Sequence, residues 1–158
     1  MSTSTVSRGA ELDTWVSFLR THSAIVGKLN AELVADHGLT INDFEVLLHL
    51  SWAPDHAMRR VDLASSVLLT PSGITRLLDG LERSGFVTRE ACATDRRVVY
   101  AKLTRTGGEK LAQARETHLA GVHRLFVERF DSDELASLSL LLERLPGVGP
   151  ANGDGASC

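Results

Sequence analysis

One group of side chains able to bind a nucleic acid follows a helix start signal near the middle of the chain. Thr70 is a favoured N-cap residue and Pro71 is favoured in a first helical turn, so we expect a helix to begin there. The first turns of this helix would expose small, polar or basic residues, namely Ser72, Gly73, Thr75 and Arg76. The start of such a helix fits the major groove of DNA, where hydroxyl groups bind phosphates or bases and an arginine can bind a guanine edge. We therefore predict that these residues contact DNA; the alternative is a solvated helix face.

A second basic group lies in the polar connection between two strand-like segments. Apolar residues alternate with a period of two over residues 86–92 and 98–103, which predicts two strands joined as a hairpin. Arg96 and Arg97 lie at the tip of this hairpin, where guanidinium groups can enter the narrow, negatively charged minor groove. We do not expect Asp95 to touch DNA, because phosphate repels a carboxylate. An ordinary turn with a weak surface ion pair is the alternative.

The distribution of charge supports binding to a polyanion, although the overall charge does not. The chain of 158 residues has a formal net charge of −3. Residues 59–110, which include both groups, nevertheless hold ten lysines and arginines against six acidic residues. A local excess of positive charge of this kind is typical of segments that bind nucleic acids.

Several histidines and one carboxylate suggest a metal site as a further hypothesis. Glu45 and His49 are four residues apart on a predicted helix, a spacing at which both side chains can ligate one ion. His118 and His123 are five residues apart and point to different sides of their helix. Zinc bound by these four residues is one interpretation. Packing of His49 in the apolar core is the alternative, because leucines flank it on both sides.

The sequence patterns of common enzyme classes are missing. The chain contains no GxSxG, CxxC, HExxH or P-loop motif, and we therefore expect no enzymatic activity. Cys92 and Cys158 are too few to form a disulfide framework. No apolar run approaches the roughly 20 residues that a membrane span needs. We expect a cytoplasmic protein without a membrane partner.

Helical periodicity surrounds the two basic groups with helices. Apolar residues recur at helical spacing in six segments, approximately residues 11–37, 40–52, 60–67, 71–83, 105–129 and 131–145. The fifth helix is predicted to begin at Thr104 or Thr106, and Thr106 with Glu109 matches a capping box. The predicted fold class is mainly α with a small β-hairpin. Residues 1–10 and 146–158 are polar or rich in glycine and proline, and we expect a flexible and a disordered tail there.

The middle of the chain resembles the MarR family of winged helix-turn-helix transcriptional regulators. The motif reads VDLASSVLLTPSGITRLLDGLERSGFVTRE over residues 61–90 and DRRVVYAKLT over residues 95–104. The resemblance implies a winged helix-turn-helix lobe, residues 38–104, on a helical dimerisation region formed by residues 11–37 and 105–145. It also implies that Asp95 orients an arginine of the wing.

The same resemblance implies a function and its partners. A homodimer would bind a pseudo-palindromic site on double-stranded DNA, as a repressor, and a small ligand or metal ion would release it. A winged-helix module that binds protein without DNA is the alternative function.

The resemblance also suggests what the effector could be. Some members of the family bind aromatic or purine-like anions beside a tryptophan of the first helix and a nearby arginine, so Trp15, Arg20 and Arg59 are predicted to line a ligand pocket. Burial of Trp15 in a dimer interface is the alternative. Other members sense zinc through histidines and carboxylates, which here would be the four residues named above. The sequence does not decide between zinc, a small anionic effector and no cofactor.

Overall fold

The computed structural model describes residues 8–67 and 69–146, and this part of the chain is mainly helical. Its elements in chain order are α1 (Arg8–His37), α2 (Ile41–Trp52), β1 (Ala57–Arg59), α3 (Arg60–Ser66), α4 (Pro71–Arg83), β2 (Val87–Ala91), β3 (Val99–Leu103), α5 (Arg105–Leu125) and α6 (Ser132–Leu142). Short 3₁₀ turns cover Pro54–His56 and Val127–Arg129. The prediction of a mainly α fold with a small β-hairpin is confirmed. Within the described ranges, every helix is too short or too polar for a membrane span.

Several predicted helix ends need correction. α1 begins at Arg8, so residues 8–10 are helical and do not belong to a tail; the rest of the predicted tails, apart from residue 146, lies outside the described residues. α5 ends at Leu125 and α6 at Leu142, both earlier than predicted. Apolar residues continue past the end of α5 through Phe126 into a 3₁₀ turn, and periodicity alone therefore extended the helix too far.

The hairpin β2–β3, residues 87–103, is the wing. It belongs to a sheet of three strands, one more than the sequence predicted. The sheet is antiparallel with the order β1-β3-β2, so β3 pairs on both sides. Arg59 of β1 lies opposite Tyr100, and Ala91 of β2 lies opposite Val99. β1 was missed because three residues are too few to show a period of two.

The apolar core of the described residues lies between the C-terminal half of α1, the helices α2 to α5 and the sheet. Its largest fully buried side chains are Phe44, Leu33, Leu47, Leu50, Leu63, Ile74, Val46 and Val87. Residues 9–24 of α1 are all exposed, and α6 has no buried residue. The first half of α1 and α6 therefore carry apolar surface that the single chain leaves uncovered.

A hydrogen-bonded junction joins the end of α4, both strands of the hairpin and the start of α5. The Thr104 hydroxyl donates to the Gly85 carbonyl oxygen over 2.6 Å and accepts from the Gly107 amide over 3.0 Å. The Thr104 amide donates to the Phe86 carbonyl oxygen over 3.0 Å. Thr104 is thus the N-cap of α5, and the capping box predicted at Thr106 is wrong. The helix begins after Thr104 because the Thr104 hydroxyl also finds an acceptor, the Gly85 carbonyl oxygen, in the turn after α4.

Replacing Gly107 tests how closely this junction must be packed. A Cβ atom at Gly107 would collide with the Phe86 carbonyl oxygen, so we expect Gly107→Ala to lower the free energy of unfolding by about 1–3 kcal/mol. Gly108→Ala is the matched control, because a Cβ there meets nothing closer than Leu103 at 4.0 Å. The free energy of unfolding of the control should rise by up to about 1 kcal/mol, because alanine has a higher helix propensity than glycine. Urea unfolding of both variants measures the difference, and equal stability would contradict the close approach.

Candidate nucleic-acid interface

The start of α4 presents a polar face because its other face is buried. Ile74, Leu78 and Leu81 are 1–3% exposed and anchor the helix in the core. Ser72 and Arg76 are exposed on the opposite side. This arrangement gives the predicted contact residues a fixed position on the surface.

Local hydrogen bonds set the first turn of α4. The Thr70 hydroxyl accepts from the Gly73 amide over 3.1 Å, as an N-cap should. A Cβ atom at Gly73 would lie 3.1 Å from that same hydroxyl oxygen, so any larger residue would crowd the cap. Arg60 Nη1 lies 3.5 Å from Thr75 Oγ1 and links the starts of α3 and α4. Arg76 makes no hydrogen bond or ion pair within the described residues, and its guanidinium group is available to a ligand.

The tip of the wing holds one arginine in a defined orientation. Arg97 Nε lies 3.1 Å from Asp95 Oδ1, Nη2 lies 3.3 Å from Oδ2, and the Arg97 amide also donates to Oδ1 over 3.0 Å. These hydrogen bonds from Arg97 hold the pKa of the Asp95 carboxyl below its usual value. The Arg97 side chain is 91% exposed, and Arg96 is exposed as well. Asp95 therefore holds Arg97 by local hydrogen bonds while the arginine side chain extends into solvent.

Arg89 of β2 is a residue that the sequence analysis did not single out. Its Nε lies 2.8 Å from Glu82 Oε2, and its Nη2 is paired with Asp79 Oδ1. The wing is thereby connected to α4 through two carboxylates. The sequence feature that could have identified this bridge is a pair of acidic residues, Asp79 and Glu82, which lie one helical turn apart. A basic residue, Arg89, follows them on the next strand.

The predicted metal residues are not gathered into one site. The described residues contain no group of three or more histidines, cysteines or carboxylates able to hold an ion. The His118 ring lies against Phe44 with centroids 4.6 Å apart, and the His49 ring meets the Trp52 ring edge-on at 5.7 Å. His123 Nδ1 lies 3.0 Å from a carboxylate oxygen of the nearby 3₁₀ turn. Aromatic packing and a local hydrogen-bond contact therefore account for histidines that the spacing had suggested as ligands.

Burial shifts three of these titratable groups. It raises the pKa of Glu45 and lowers the pKa of His49 and of His118. In all three groups burial removes water from the side chain and thereby favours its neutral form, as expected for partly buried core groups.

The predicted ligand-pocket residues lie on two elements, α1 and β1. Trp15 is 56% exposed and stacks on Phe18, with centroids 6.0 Å apart. Arg20 is exposed on the same helix. Arg59 is held by Asp62 through hydrogen bonds of 2.6 and 3.1 Å and lines a cavity of about 150 Å³ beside the wing. Trp15 and Arg20 do not line this cavity.

The burial of His118 predicts a pH-dependent stability. Its Nδ1 atom is buried without a hydrogen-bond partner among the described residues, and burial lowers its pKa from 6.5. The unfolded chain then binds the proton more readily, so the free energy of unfolding should fall as the pH drops below about 6.5 and level off below the folded-state pKa. Urea unfolding from about pH 7.5 to about pH 5 measures this slope. His118→Phe should make the slope shallower and leave the part due to His49, and an unchanged slope in that variant would contradict the assignment.

Comparison with known proteins gives the family of the chain. The model of the MarR family matches residues 39–99. The HTH-type transcriptional repressor YetL of Bacillus subtilis (strain 168) is 33% identical over 114 residues, which cover 70% of this chain and 68% of YetL.

Solved structures agree in fold over most of the chain. AbsC, a MarR family regulator from Streptomyces coelicolor, has a TM-score of 0.78 and 29% identity, covering 90% of this chain and 95% of AbsC. Sco3205 from the same organism, solved in complex with DNA, has a TM-score of 0.80 and 25% identity. The match covers 88% of this chain and 90% of Sco3205. The chain therefore belongs to the MarR family of winged-helix transcriptional regulators, as its motif predicted, and is not an enzyme.

Proposed function

We propose that the chain is a transcriptional repressor that binds a pseudo-palindromic DNA site as a homodimer. The observation that carries this proposal is a basic surface shared by α3, the start of α4 and the wing. Arg60 connects its parts, because its guanidinium lies near Thr75 of α4 and its side chain lines a cavity together with Arg97 of the wing. These two contacts of Arg60 support a single DNA-binding surface that includes the start of α4 and the wing.

The two ends of this surface suit the two grooves of a duplex. The start of α4 would enter the major groove, where Ser72 and Thr75 bind phosphates or bases, Gly73 permits close approach and Arg76 binds a guanine edge. Arg97, oriented by its carboxylate partner, would then reach the adjacent minor groove with Arg96 beside it.

Exposed apolar residues support the homodimer. The first half of α1 exposes Leu12, Trp15, Val16, Phe18 and Leu19, and α6 with the turn after it exposes Leu140, Leu141 and Leu145. Apolar patches of this extent on soluble domains usually mark an interface. A second copy of the chain would bury these residues and would present two α4 helices about one turn of DNA apart.

Repression follows from this geometry when the site overlaps a promoter, because the bound dimer then competes with polymerase; the relative YetL is named a repressor. A small ligand or metal ion that prefers a dimer with the wrong spacing between its α4 helices would release the DNA. Trp15, Arg20 and Arg59 are the proposed contacts for an anionic ligand, with burial of Trp15 in the dimer interface as the alternative. Binding to DNA would make the cytoplasm the place of action.

Selection from a random duplex pool, followed by fluorescence anisotropy at several salt concentrations, tests DNA binding. We expect enrichment of one palindrome and an affinity that falls steeply with salt. Arg76→Ala should cost about 1–3 kcal/mol and relax specificity at one base pair, whereas Arg97→Ala should weaken binding without that change. Arg115→Ala, which removes an exposed arginine from α5, is the matched control and should bind normally. No enrichment at low salt would favour a protein-binding module.

Sedimentation velocity tests the homodimer with two variants of equal exposure. Leu140 on α6 is 62% exposed and Val61 on α3 is 61% exposed. Leu140→Glu would bury a carboxylate in the proposed interface, so it should yield monomers with unchanged circular dichroism. Val61→Glu should remain dimeric. The dimer proposal fails if the wild-type chain is a monomer or if both variants stay dimeric.

A further inference from the structure

The outer part of the wing has little apolar contact with α4. Within β2 only Val87, at the base of the wing, is buried, and the four following residues are exposed. Beyond Val87 a cavity of about 290 Å³ separates Leu78 of α4 from Ala91 and Val99 of the wing. Packing therefore does not fix the angle between α4 and the wing along this side.

Arg89 connects the wing to α4 beside this cavity, and its contacts can fix the angle between the two. Its guanidinium group meets Glu82 Oε2 through Nε over 2.8 Å and meets Asp79 through Nη2. The two carboxylates lie one helical turn apart on the same face of α4. A planar guanidinium group that binds two carboxylates through different nitrogens has a restricted orientation.

The charges of this bridge matter more for position than for stability. The three side chains are 34–51% exposed, and ion pairs exposed to this extent contribute little to the free energy of folding. Without Arg89, however, two unpaired carboxylates would lie on the helix proposed to enter the major groove, and their negative charge would oppose binding to DNA. When Arg89 is paired to both carboxylates, its positive charge is neutralised within the protein.

We propose that Arg89 is a positioning residue that sets the angle of the wing against α4, so that Arg97 reaches the minor groove when α4 lies in the major groove. This inference rests on the proposed DNA contacts of α4 and the wing. Arg89 acts through Arg97 and need not touch DNA itself.

A double-mutant cycle on the selected duplex tests this role. Arg97→Gln and Arg89→Gln should each weaken specific binding about tenfold, and the double variant should be hardly weaker than either single variant, because both changes remove the same minor-groove contact. Independent effects, about a hundredfold in the double variant, would overturn the inference. Glu90→Gln is the control, since Glu90 pairs with Lys102 within the wing at 3.6 Å, and it should leave the cycle unchanged.

A second variant tests the bridge from the side of α4 and does not depend on Arg89→Gln being folded. Asp79→Asn combined with Glu82→Gln leaves Arg89 in place but removes its partners. The ratio of specific to non-specific affinity should drop about tenfold, although a simple loss of negative charge would favour binding to DNA. An unchanged or higher ratio would overturn the inference. A wild-type chain that selects no duplex would instead overturn the proposed function, and the two failures are thereby distinguished.

Discussion

The rest of the structure depends on the close contact between the start of α5 and the base of the wing. The Thr104 hydroxyl binds the turn after α4 and caps α5, and Gly107 lets α5 approach the Phe86 carbonyl oxygen without a side chain between them. α4, β2, β3 and α5 therefore meet at one point. A movement of α5 against the lobe would reach α4 and the wing together, which is what an effector bound near the dimerisation helices would require.

Polar links continue this connection outward from the junction to the tip of the wing. Backbone hydrogen bonds fix the base, Arg89 ties the middle of β2 to α4, and Asp95 orients Arg97 at the tip. The two ion-pair links, at Arg89 and Arg97, are exposed enough to contribute little to the free energy of folding. Such links can define the orientation of the wing without adding much stability. The apolar core, by contrast, fixes α4 rigidly through Ile74 and Leu78.

The sequence predicted the features that depend on local rules. The N-cap at Thr70, the buried stripe of α4 and the polar hairpin tip follow from neighbouring residues, and the structure has all three. The features it did not predict depend on contacts between distant segments. Arg89 meets its carboxylates only after the hairpin folds back on α4, and His118 finds Phe44 across two helices. Spacing along one helix could therefore suggest metal ligands but could not show that two of them, His49 and His118, pack against aromatic rings.

Hydroxyl-radical and dimethyl sulfate footprinting of the bound duplex would test the central claim, that α4 and the wing of each chain read adjacent grooves, most directly. Two protected major-groove segments about one helical turn apart, each flanked on its outer side by minor-groove protection, are the predicted result. Arg97→Gln should remove the minor-groove protection and leave the major-groove protection in place. Protection without twofold symmetry, or minor-groove protection that survives in this variant, would contradict the account.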